Sequence, residues 1–192
     1  RESTDEEKKR AAEEATERER FPLYVACSCN PPVDVVEALL DASPETVRRG
    51  NDYGITPLHV ACLKGASQGV VQLLIESGGK EMCAARNNEG HTPLHCACYG
   101  GASENVVRLL IDCGGRKEAC WEKDNDGNTP LQCACNNKAS EEIIRVLVEN
   151  SDDAISGIKE NPHPLFSAAE KYPSSAKAIA RLVKKDKTIV NL

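Results

Sequence analysis

Five stretches of this chain repeat one pattern: FPLYVAC from Phe21, TPLHVAC from Thr56, TPLHCAC from Thr92, TPLQCAC from Thr129 and HPLFSAA from His163. Their prolines, Pro22, Pro57, Pro93, Pro130 and Pro164, stand 35, 36, 37 and 34 residues apart. A period of this length means a stack of small units, none able to bury its apolar face alone. A second repeated block (VVEALL, VVQLLI, VVRLLI, IIRVLV, AIARLV) begins at Val35, Val70, Val106, Ile143 and Ala178. It follows its proline by 13 residues four times and by 14 once, whereas the gap to the next proline runs from 21 to 24. Length variation is thus confined to the connections, where insertion is tolerated.

Each unit reads as two helices and a turn. Thr56, Thr92 and Thr129 can cap free N–H groups, and proline at the first helical position lacks the donor that would go unsatisfied. Ala26, Ala61, Ala97, Ala134 and Ala168 lie four after the proline, where helices must approach closely. Ser67, Ser103 and Ser140 precede the apolar block by three residues and cap a second helix with an i, i+3, i+4 stripe. Gly78-Gly79 and Gly114-Gly115 end it. The connection runs to Asn51-Asp52-Tyr53-Gly54, Asn87-Asn88-Glu89-Gly90 and Asp124-Asn125-Asp126-Gly127, turns whose glycine supplies φ > 0. Val47, Cys83 and Cys120, four residues upstream, are expected as apolar feet under these loops.

In these residues the chain resembles the ankyrin repeat family. The helix start, the VV-x-LL block and the Asn/Asp-x-x-Gly turn recur in order from Phe21 to Val183. The resemblance implies an all-α solenoid of stacked helix-turn-helix units with projecting hairpin-like loops, and a concave binding face built from the loops and first helices. The units are expected near 21–52, 53–88, 89–125, 126–160 and 161–192. They exceed the usual 33 residues, and Ala-Ser replaces the usual Gly-His before the second helix. The outer units carry Phe21 and His163 for the threonine, and Tyr24 and Phe166 for the histidine, and are expected to be caps. The turn pattern is lost between Ser151 and Asn161. Residues 1–20, with eight acidic and six basic side chains, read as a charged lead helix or linker.

Aromatics make up 4% of the chain, so the core must be Leu, Val, Ile, Ala and Cys. A net charge of −6 argues against a nucleic-acid groove, although residues 171–192 carry six basic groups against one acidic. No apolar run approaches the roughly 18–20 residues of a membrane span. The start at Arg1 suggests an excised segment. Cys27, Cys62, Cys98 and Cys135 each fall five after their proline, and Cys96 and Cys133 three after it. Cysteine once per unit at a small-residue site means reduced, buried thiols, hence an intracellular, reducing and most simply cytoplasmic setting.

His59 with Cys62, and His95 with Cys96 and Cys98, have a spacing that can share a metal. No four-ligand set accompanies them, and stacked helices lie roughly 8–10 Å apart. The expectation is therefore no metal, no cofactor, no small-molecule substrate and no catalysis, with the histidines bridging each helix start to neighbouring backbone. The residues expected to meet a partner protein flank the turn glycines and end the first helices. They are Asp52, Tyr53, Ile55, Leu63 and Lys64; Asn88, Glu89, His91 and Tyr99; and Asn125, Asp126, Asn128, Asn136 and Asn137. Trp121 either packs under its loop or serves as an anchor. The function expected is a non-enzymatic scaffold module that binds another protein; the alternative is a permanent structural or regulatory subunit of an assembly.

Overall fold

The computed structural model describes residues 22–150 apart from Arg116 and Lys138. The lead segment and the fifth unit, with the cap expected there, lie outside the described residues. Paired helices follow one another: α1 (Pro22–Ser28) and α2 (Val33–Ala42), α3 (Pro57–Leu63) and α4 (Gln68–Gly78), α5 (Pro93–Gly100) and α6 (Glu104–Cys113). After a short α7 (Lys117–Trp121) come α8 (Pro130–Asn136) and α9 (Glu141–Asn150). No strand occurs among the described residues, and none of their helices is long and apolar enough to cross a membrane.

The helix starts follow from the sequence. Thr56, Thr92 and Thr129 are N-caps with proline next in line, each closing a capping box with the residue three further on: His59, His95 and Gln132. Ser67 and Ser103 accept from the Val70 and Val106 N–H groups, both at 3.4 Å. Pro32 stands at the equivalent place in the first unit and gives no side-chain cap. Positive φ falls on the second glycine of each pair, Gly79 and Gly115.

First helices pack on first helices and second on second, so α3 sits between α1 and α5, and α4 between α2 and α6. Ala61, Ala97 and Ala134 are fully buried at this approach. Leu74, Leu110 and Leu147 line the second-helix layer, while Leu109, the neighbour of Leu110, is only partly covered. Gly100 is required by packing: a Cβ there would overlap the Leu63 carbonyl of the preceding unit. In the first unit, Val25 and Val35 are 41% and 42% exposed, although their counterparts Val60 and Val70 are buried.

The connections hold more structure than turn signals suggest. Val47 and Cys83 lie in 3-10 turns, Pro44–Arg48 and Lys80–Ala84, and Cys120 lies in α7. All three feet are buried at 3% exposure or less.

Candidate functional site: the loop row and the third–fourth junction

One side chain organises each described loop. Asn51 Oδ1 accepts the Tyr53 and Ile55 N–H groups, both at 3.0 Å. Asn87 Oδ1 does the same for Glu89 and His91 at 3.0 and 2.8 Å, and Asp124 Oδ1 for Asp126 and Asn128 at 3.0 and 2.7 Å. Neighbouring loops are then zipped together. The Asn88 N–H donates to the Tyr53 carbonyl at 2.9 Å, and the Asn125 N–H to the Glu89 carbonyl at 3.0 Å. The side-chain amides reinforce this, Asn88 Nδ2 on the Asp52 carbonyl at 3.0 Å and Asn125 Nδ2 on that of Asn88 at 2.9 Å.

Of the residues singled out by sequence, Asp52, Tyr53, Asn88, Glu89, Asn125 and Asp126 thus form one exposed row of loop tips. Leu63, Lys64, Tyr99, Asn136 and Asn137 form a second, at the ends of the first helices, also exposed. The His91 and Tyr99 rings, 5.1 Å apart, join the two rows. Within them the apolar surface is Tyr53 at 68%, Leu63 at 37% and Tyr99 at 38% exposure. Several of the residues singled out by sequence already do structural work. Asn88 and Asn125 hold loops, Asn137 Nδ2 donates to the Cys133 carbonyl at 2.9 Å, half-buried Asn128 donates from Nδ2 to Asp124 Oδ2 at 3.3 Å, and Ile55 packs half-buried on the core. Trp121, 38% exposed, lies on α7, outside both rows.

The motif histidines are buried bridges. His59 Nδ1 accepts the Thr56 backbone N–H at 3.3 Å, so Nε2 carries the proton and donates to the Ala85 and His91 carbonyls, each at 3.1 Å. His95 repeats this, with Nδ1 on the Thr92 N–H at 3.2 Å and Nε2 on the Asn128 carbonyl at 3.2 Å. Each ring therefore ties the helix start of one unit to the loop of the next. Burial lowers both pKa values, that of His95 to about 4. The cysteines are free thiols. Burial raises Cys27 and Cys96 to about 12 and lifts Cys62 and Cys98 well above the ordinary range, so none of these four is an available nucleophile.

One junction differs from the others. Between the third and fourth units, His91, His95, Asp124 and Cys133 come together. The Asp124 side chain is 1% exposed, and its Oδ2 lies 3.5 Å from His91 Nε2 and 3.8 Å from Cys133 Sγ. Ligand atoms of His95, Asp124 and Cys133 all fall within 4.8 Å of one another. Burial works against ionisation of Asp124, but the hydrogen bonds from Asn128 outweigh it and hold the carboxyl below its usual range. Sequence reasoning missed this group because it weighed residues within one helix and at equal positions of adjacent helices, whereas the cluster joins different registers of adjacent units. The signal was present as departures from the repeat: Asp124 stands where the other described loops have Asn51 and Asn87, and His91 where they have Ile55 and Asn128.

Stacked helix pairs with an exposed row of zipped loops define a solenoid of the kind that offers surface rather than an enclosed reaction chamber. The family model described as ankyrin repeats (3 copies) matches residues 8–84 and 66–157, and the chain belongs to the ankyrin repeat family. Repeats of this family are generally protein–protein interaction modules and generally not enzymes. A comparison with curated proteins returned no match.

Proposed function

We propose that the chain is a non-enzymatic module that binds another protein through the concave face formed by its loop tips and first-helix ends. The observation that carries this reading is the placement of Tyr53, Leu63 and Tyr99. They expose apolar surface along two adjoining rows, at registers where solubility alone would favour charge. Around them Asp52, Glu89 and Asp126 give the row an acidic cast, which suits a partner that presents basic and apolar groups. A reducing, cytoplasmic setting agrees with buried thiols at repeat positions.

Site-specific photocrosslinking tests the assignment. A photoreactive residue at position 53 or 99 should capture the native partner, and the same residue at position 145 on α9 should not. Capture from position 145 alone would place the interface elsewhere.

A further inference from the structure

The third–fourth junction has a feature that protein binding does not require. Ligand atoms of His95, Asp124 and Cys133, three buried side chains from two units, lie within 4.8 Å of one another. His91 Nδ1 lies 3.1 Å from Glu89 Oε2, and its Nε2 lies 3.5 Å from Asp124 Oδ2. A separation of 3.5 Å is close to the edge of a tetrahedron whose metal–ligand bonds are about 2.0–2.2 Å.

We propose that His95, Asp124 and Cys133, with His91 moving in as the fourth donor, form a binding site for a divalent transition metal of the zinc class. The donor set of two imidazole nitrogens, one carboxylate oxygen and one sulfur suits zinc, and would be a poor home for calcium or magnesium. Glu89 behind His91 is the carboxylate that orients a ligating histidine. The proton balance is explicit. Cys133 releases its thiol proton to solvent on binding. His95 gives up its bond to the Asn128 carbonyl and shifts its ring proton to Nδ1, which then donates to the Thr92 hydroxyl 2.9 Å away and no longer accepts the Thr92 N–H. The two negative ligands neutralise the ion, so the buried site carries no net charge. The other described junctions cannot do this. The second–third junction presents Ile55, Asn87 and Cys96 at the registers of His91, Asp124 and Cys133.

Metal titration of the full, reduced, chelator-treated chain tests the site, with Zn²⁺ and with Co²⁺ as the spectroscopic probe. Uptake of one equivalent with a thiolate-to-cobalt charge-transfer band is expected. The variants Asp124→Asn, His91→Ile and Cys133→Val place at the junction residues that neighbouring units already tolerate. Each should weaken Zn²⁺ binding by at least about 10-fold, and Cys133→Val should abolish the band. Zn²⁺ should also raise the melting temperature of the parent chain and leave that of Asp124→Asn unmoved. Uptake that survives Asp124→Asn and Cys133→Val undiminished would assign the ion to other thiols and overturn the proposal. So would the absence of Zn²⁺ and Co²⁺ uptake by the reduced parent chain.

Discussion

His95 Nε2 donates to the carbonyl of Asn128, 3.2 Å away and 33 residues later in the chain. The opposite nitrogen, Nδ1, accepts the Thr92 N–H only in a neutral ring. Protonation of His95 leaves the bond to Asn128 in place but breaks this buried helix cap, and the pH dependence has a definite sign. A histidine in the unfolded chain titrates near 6.5, whereas burial holds folded His95 at about 4. Between these values the unfolded state binds more protons, so stability falls as pH drops through that window and is unaffected above it. The loss reaches about 3 kcal/mol at most. Urea midpoints of metal-free protein between pH 7 and 4.5 measure it. His95→Gln, which borrows the capping residue of the fourth unit, should flatten the slope; an unchanged slope would exclude His95 as the source.

The stack predicts unequal costs for adjacent leucines. Leu110 is 1% exposed between second helices, while Leu109 is only partly covered. Leu110→Ala should cost about 2–5 kcal/mol and Leu109→Ala clearly less, read from denaturant midpoints. Equal losses would contradict the layer assignment.

Gly100 offers a sharper test of the unit spacing. A methyl group there overlaps the Leu63 backbone, which cannot move without separating α3 from α5. Gly100→Ala should lower stability by more than about 1 kcal/mol, although alanine is the better helix former. A stabilised variant would mean that the helices stand further apart than described.

Thiol labelling without denaturant should modify Cys29 and Cys113 ahead of the buried cysteines. Cys29 is exposed and Cys113 half-covered, with Sγ 3.7 Å from the Lys80 carbonyl. Cys62 and Cys98 should react only on unfolding.

The repeat made the fold legible because caps, prolines and turn glycines act locally. Thr56, Pro57 and Gly54 predict their conformations from their own chemistry, and the structure shows each in place. Less legible were features that depend on a neighbour. The turns at Pro44–Arg48 and Lys80–Ala84 carry no periodic signal, being too short for one. Leu109 and Leu110 are indistinguishable in a VVxLLI block until the adjacent helix fixes which one is covered. The residues expected to meet a partner were chosen by register, yet register could not reveal that the Asn88 and Asn125 amides are spent on zipping the loops. The His91–Asp124–Cys133 grouping was invisible for the same reason: it exists only once two units are stacked.

Partner binding through the loop row is tested most directly by calorimetric titration of the partner captured from position 53. Tyr53→Ala should weaken binding by more than about 1 kcal/mol with the melting temperature nearly unchanged, since the side chain is 68% exposed. Tyr99→Ala should also weaken binding but lower stability somewhat, because its ring rests on His91. Arg108→Glu and Arg145→Glu, on the second helices, should leave affinity within about twofold, as expected for charges outside an interface. If the arginine reversals abolish binding while Tyr53→Ala and Tyr99→Ala are silent, the partner sits on the other face.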